Sequence, residues 1–163
     1  MVLGVLAALV LAGCATTPPK PNLPPVNPGL AASANQGNPM AELNLGLETL
    51  ARASTQTERQ TAAAWVQRAA DANLAMAQDK LGRMYLFGYG VPQDTSEALS
   101  WLQRAAKHGA PAAQLELGQL YAVGTLVPVD KAKAECALAA HIAAVEDFSF
   151  IRGEARAAPL AHP

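Results

Sequence analysis

Two thiols and three imidazoles are the groups in this 163-residue chain with most capacity for covalent or metal chemistry. Their spacing limits what they can do. A zinc-binding helix needs a pair such as His-x-x-x-His, whose rings share one face. His108, His141 and His162 form no such pair, so no metal site is expected. His108 stands beside Gly109, where an imidazole at a helix end suits the dipole without any functional role. His141 reads as a packing or surface position. Cys136 falls inside a helical pattern with no partner thiol, and such a cysteine reads as a small buried hydrophobe. Acyl-transfer catalysis of the hydrolase kind would need a Gly-x-Ser-x-Gly elbow, and phosphate binding a Gly-x-x-x-x-Gly-Lys loop; neither occurs. Gly88-Tyr89-Gly90 lies between two helical patterns and not after a strand, so it is no dinucleotide fingerprint. No catalytic residue, cofactor or metal is expected. Cys14 is the exception in context, because it ends an apolar run.

Residues Met1 to Gly13 are uncharged and almost wholly apolar. The run is too short to span a bilayer, which takes roughly 20 residues, but has the length and small-residue ending of a secretory signal. Its last residues, Leu11-Ala12-Gly13-Cys14, resemble the lipobox of bacterial lipoproteins. The resemblance implies that residues 1–13 are removed as a signal peptide and that Cys14 becomes a lipid-modified N-terminus. Ala15 stands where Asp often marks retention in the inner membrane, which points to the outer membrane, facing the periplasm. No Lys or Arg opens the run, as if translation starts further upstream. The segment from Cys14 to Asn38 then reads as a linker. Prolines 18, 19, 21, 24, 25 and 28 favour extended polyproline geometry, about 3.1 Å per residue, and Ala31 to Asn38 is expected to be a flexible leash.

The elements beyond this linker follow from composition and period. Apolar residues make up 51% of the chain and aromatics only 5%, so alanine supplies much of the apolar content and helix is favoured over sheet. With 12 basic and 13 acidic residues there is no cationic excess for a phosphate backbone, and no nucleic-acid partner is expected. Shifting the chain by 36 residues aligns Trp65-Val66-Gln67-Arg68-Ala69-Ala70 with Trp101-Leu102-Gln103-Arg104-Ala105-Ala106. The same shift pairs Ala77 with Ala113, Leu81-Gly82 with Leu117-Gly118, Tyr85 with Tyr121 and Asp94 with Asp130; backwards it places Leu45-Gly46 under Leu81-Gly82. A fixed period of this length marks a solenoid.

Each period reads as two helices. Ala77, Leu81, Gly82 and Tyr85 share one face of the first, and Trp101 and Ala105 lie on the inner face of the second. A glycine there costs up to roughly 1 kcal/mol of helix propensity, recovered if a neighbouring helix can come close. The same packing role falls to Gly46, Trp65, Leu117, Gly118 and Tyr121. Between the two helices, Gly88 and Pro92 stop the first, and Asp94 with Glu97 caps the second. Gly109, and Asn73 one period earlier, end the second helix. In the first repeat only a cap remains, either Thr55 with Glu58 or Thr57 with Gln60.

These residues resemble the Sel-one-like repeat family, a branch of the tetratricopeptide superfamily, whose pattern runs through Ala77, Leu81, Gly82, Tyr85, Gly88, Gly90, Val91, Asp94, Ala98, Trp101, Ala105, Ala106 and Gly109. The resemblance implies an all-α fold, a right-handed α-solenoid of about three helix-turn-helix repeats over residues 39–145. Residues 146–163 would form a tail or cap, with Phe148, Phe150 and Ile151 folding back as a lid. It also implies a protein-binding scaffold, here tethered to the membrane by its lipid and active in envelope assembly, export, secretion or host interaction. The residues of each first helix turned from the packing stripe are the candidate binding face: Leu43, Leu47 and Leu50, then Asp79, Arg83 and Leu86, then Leu115 and Gln119. Alternatives are a self-associating structural lipoprotein and a periplasmic enzyme accessory. Members of the family linked to β-lactams carry a cysteine pair in each repeat, which this chain lacks.

Overall fold

The structure is a computed structural model that describes residues 27–124 and 126–151, with side chains through Glu146. The signal segment 1–13, Cys14, the linker as far as Val26, the proposed lid side chains and His162 lie outside the described residues. Among those described, every regular element is a helix: α1 (Pro28–Asn35), α2 (Pro39–Arg52), α3 (Gln56–Asp71), α4 (Ala75–Phe87), α5 (Thr95–Lys107), α6 (Pro111–Val123) and α7 (Lys131–Ile151). Helices α2/α3, α4/α5 and α6/α7 form the three repeats, and each pair packs on the next through α3 on α4 and α5 on α6.

Close approach explains the repeated glycines. A Cβ on Gly46, Gly82 or Gly118 would stand 2.7 Å from Val66 Cγ2, 2.8 Å from Leu102 Cγ and 2.6 Å from Leu138 Cγ respectively. Each glycine thus lets the second helix of its own repeat settle against the first. Around them the core is largely alanine, closed by bulkier anchors: Ala77, Leu81 and Ala105 are fully buried, and Trp65, Trp101, Leu117 and Tyr121 nearly so. Tyr85 is half-buried and packs against the clusters on both sides of α4.

Helix α1 overturns the flexible leash expected over Ala31 to Asn38. Asn27 Oδ1 accepts from the amides of Gly29 (3.0 Å) and Leu30 (3.3 Å), and Pro28 takes the first turn, where its missing N–H costs nothing. In sequence Pro28-Gly29 reads as a breaker, but proline opens a helix as readily as it ends one. Ala34 is fully buried, and Leu30 and Ala31 pack on a cluster of Ala41, Leu45 and Trp65. The turn that follows repeats at the 36-residue period. Gly37, Asn73 and Gly109 all have positive φ (85°, 63° and 81°), and the amides of Asn38, Leu74 and Ala110 donate to the carbonyls of Ser33, Ala69 and Ala105. Helix α1 therefore takes the place of a second helix, packed on α2 ahead of the first repeat.

Polar side chains also follow the period. Gln78 Nε2 donates to the Ala70 carbonyl at 3.2 Å, and Gln114 Nε2 to that of Ala106 at 3.4 Å, tying each first helix to the preceding second helix. His108 Nδ1 lies 2.8 Å from Gln78 Oε1, a bond across the repeat that the dipole reading of this histidine did not contain. His141 Nδ1 lies 2.8 Å from the Pro111 carbonyl. Glu42 takes the glutamine position in the first repeat and is buried against Arg68, Oε1 to Nη2 2.6 Å. The Arg68 guanidinium lies 4.8 Å from the centroid of the Trp65 ring, as Arg104 lies 4.5 Å from that of Trp101.

One further expectation changes in α7. Cys136 is exposed rather than buried; it occupies the register of Ser100, on the outward face of the second helix. Helix α7 runs on through Ile151, past residue 145.

Of the two caps open for α3, Thr55 with Glu58 forms. Thr55 Oγ1 accepts from the Glu58 amide at 3.2 Å, and Glu58 Oε2 accepts from the amides of Ser54 (2.7 Å) and Thr55 (3.0 Å). These backbone donors hold the Glu58 carboxyl well below its ordinary 4.5, at about 2. A depressed acid stabilises the fold above its unfolded pKa and ceases to do so as pH falls through the folded one. Glu58→Gln is accordingly expected to lower the thermal midpoint at neutral pH, with the gap closing between about pH 4.5 and pH 2. A gap that stays constant across that window in circular dichroism melts would remove the charge from the account.

Candidate functional site

The first helices of the first two repeats, α2 and α4, leave a groove between them because their connections to the next helix differ. After α2 the chain enters α3 through Ala53, Ser54 and Thr55 alone. After α4 a longer loop is folded down tightly. Gly88 turns left-handed (φ 71°), the Tyr89 amide donates to the Met84 carbonyl, Gln93 Nε2 donates to the Leu86 carbonyl at 2.8 Å, and the Asp94 amide donates to the Tyr85 carbonyl. Gly90 (φ 74°) lies so near the Arg59 carbonyl of α3 that a Cβ would collide with it. Held at both ends, the loop projects Tyr89 outward beside Phe87, with ring centroids 5.8 Å apart and planes inclined by 41°.

The result is a cavity of about 390 Å³. Leu47, Leu50 and Met84 form its apolar floor, Phe87 and Tyr89 a wall, and Lys80 and Arg83 a cationic rim. Phe87 is 55% and Tyr89 53% exposed, a large apolar area to leave in water without a partner. Behind the rim stand two acids. Lys80 Nζ is 3.5 Å from Asp79 Oδ2 and Arg83 Nε is 3.4 Å from Glu116 Oε2. Partial burial pushes the Glu116 carboxyl above its ordinary value; Arg83 opposes this, Asp79 adds to it, and Lys80 opposes it more weakly.

Of the face expected from sequence, the groove brings together Leu47, Leu50 and Arg83. Leu43, Leu86 and Asp79 are corrections, since all three are buried. A first helix in a stack packs on its own second helix and also on the preceding repeat, so its covered arc is wider than one stripe. Leu43 is absorbed into the cluster around Val66 and Leu81, and Leu86 into that around Leu102 and Leu117. Asp79 sits at the register of Leu43 and Leu115 with Oδ1 lacking a hydrogen-bond partner. Leu115 is half-buried and Gln119 exposed on α6, outside the groove. Lys80, Met84, Phe87 and Tyr89 were missed. Phe87 carries a signal in sequence, one turn beyond Arg83 on the same face, and so does Tyr89, an aromatic held between glycines in a loop that otherwise reads as a helix stop.

Among the described residues no group of three or more His, Cys, Asp or Glu side chains is placed to hold a metal ion. Among the same residues no helix is long and apolar enough to cross a membrane. The family model for the Sel1 repeat matches three successive segments, residues 39–74, 75–109 and 111–135. The chain belongs to the Sel1 repeat family. A Sel1 repeat protein from Oxalobacter formigenes has a similar structure, with 30% identity, a TM-score of 0.62 and 72% of this chain covered. So does c5321, a protective antigen of uropathogenic Escherichia coli strains, with 30% identity, a TM-score of 0.64 and 78% covered. The chain spans 48% of the first of these proteins and 28% of the second. No curated protein matches it in sequence. Sel1 repeats generally mediate protein–protein interactions, and the fold is typically a non-catalytic scaffold.

Proposed function

We propose that this Sel1 repeat chain is a membrane-tethered adaptor of the bacterial cell envelope, receiving a protein partner in the groove between α2 and α4. The observation that carries the reading is the preformed groove itself, walled by two exposed aromatic rings on a loop fixed at both ends. Such rings supply large contact area at little entropic cost, which is why they recur where proteins meet. The tether rests on Leu11-Ala12-Gly13-Cys14 and the outer-membrane placement on Ala15. Likeness to a protective antigen accords with an envelope role. A lipid on Cys14 and a Pro-rich spacer would leave the repeats free to meet a partner away from the bilayer surface.

The test has two arms. Cys14→Ser should move the chain from the membrane to the soluble fraction, and unchanged fractionation would remove the tether. Affinity capture from cross-linked membranes should lose its specific partner with Leu50→Glu plus Phe87→Glu, both on the groove surface. An identical set of captured proteins would remove the groove. A second reading, self-association, is favoured by Val123, Ile142 and Val145, each at least half exposed at the C-terminal end. Sedimentation of the full chain in detergent separates the two, because only self-association makes a larger species at higher concentration.

A further inference from the structure

The charges around the groove are ordered. Its two cations face outward and their two acids lie behind them: side-chain exposure is 37% for Lys80 and 47% for Arg83, against 4% for Asp79 and 20% for Glu116. The acids do not line the cavity; the cations do. A ligand in the groove therefore meets positive charge beside an apolar floor. Asp79 shows that this order is built in. Its register holds leucine in the repeats on either side, yet here a carboxylate is buried with Oδ1 unpartnered, a costly arrangement that places a counter-charge beneath Lys80. Glu116, one repeat further on, does the same for Arg83. Two long, flexible side chains are thereby held near their positions before a partner arrives, which reduces the ordering cost of binding. Arg83 engages Glu116 through Nε, and a guanidinium has five N–H donors, so most of its donor capacity is left for a ligand.

Resting on the reading of the groove as a docking site, we propose that it selects acidic, apolar peptide segments. An apolar side chain enters between Leu47, Leu50 and Met84 against the Phe87–Tyr89 wall, and a neighbouring carboxylate pairs with Arg83 and Lys80. Charge-assisted and bidentate pairs of this kind are the strong members of their class. The volume sits at the lower end of the roughly 300–1,000 Å³ common for ligand pockets, room for one or two side chains of a bound segment. Its affinity is expected to fall as salt rises.

The experiment is titration of the full chain in detergent with three short blocked peptides that share Leu and Phe positions. One carries Asp and Glu between them, the second Asn and Gln, the third Lys. The acidic peptide should bind, the amide version at least tenfold more weakly, and the lysine version not measurably. Arg83→Gln and Lys80→Gln should each weaken the acidic peptide severalfold and flatten its salt dependence, with retained helical circular dichroism as the check that the stack still folds. Equal binding of all three peptides would overturn the charge selection while leaving the groove as a docking site. Preference for the lysine peptide would overturn it too, by making Asp79 and Glu116 the recognition groups. Failure of every peptide, with capture of the membrane partner still lost on Leu50→Glu plus Phe87→Glu, would overturn the chemistry and keep the docking reading. Arg83-dependent binding of phosphatidylglycerol vesicles without peptide binding would assign the cations to lipid and overturn the proposal.

Discussion

Leu81→Ala is expected to lower the unfolding free energy by about 3 kcal/mol, within the range for emptying a core leucine site. Leu81 is fully buried on α4, in a cluster that joins Leu43 and Val66 of the first repeat to Trp101 of the second. The cluster's other members include Ala63, Ala69, Ala70 and Ala77. Alanines have no length with which to relax into a void, so the cavity should stay open and the loss should sit above the low end of the range. Against the 5–15 kcal/mol typical of domains this is a large share, and in a domain of this size it corresponds to a midpoint drop of order 10 °C. Denaturant melts of the full chain check it. A loss below about 1 kcal/mol would mean that the stack tolerates slack between its first two repeats.

Gly90→Ala is expected to cost a similar amount for a different reason. Its φ of 74° is a region that costs an L-residue roughly 1–2 kcal/mol, and its Cβ would strike the Arg59 backbone carbonyl of α3, which cannot swing aside as a side-chain tip could. Adding an overpacking cost of roughly 1–3 kcal/mol gives about 3 kcal/mol in all. Gly109→Ala is the control. It has φ 81° but nothing within 4 Å of a Cβ, so only the backbone cost of about 1 kcal/mol applies. Equal losses at the two sites would show that the loop is not pressed against α3. Because Tyr89 is the neighbour of Gly90, the same substitution should also loosen the groove wall, read as faster amide exchange from Tyr89 to Gln93.

The helical repeat was legible because packing constrains residue type at fixed spacing. Gly82 and Trp101 are there for the space they leave or fill; the glycine recurs in all three copies as Gly46, Gly82 and Gly118, and the tryptophan in the first two, with Ala137 in the third. The docking face was only partly legible, for a reason visible in Leu43 and Leu86. Leucine looks the same in sequence whether it meets water or a second neighbouring helix, and only the arrangement of repeats decides which. Asp79 misled in the opposite sense, since a carboxylate reads as exposed until a cation is seen to lie over it. Helix α1 was hidden by Pro28 and Gly29, although Gly37 carried the 36-residue period in plain view. The pairing of His108 with Gln78, thirty positions apart, leaves no periodic trace, because the corresponding position in the next copy is Ala144.

Helix α1, packed ahead of the first repeat, gives the described stack a polarity. Helix α2 has α1 on one side and α3 on the other, whereas α7 packs chiefly on α6 and leaves Ile142 and Val145 exposed. In a solenoid, stability is passed between neighbours and so is its loss. Among the described residues, local opening is therefore expected to be easier in α7 than in α2 or α4, each of which packs on a helix at either side; amide exchange faster in α7 than in those two would show it.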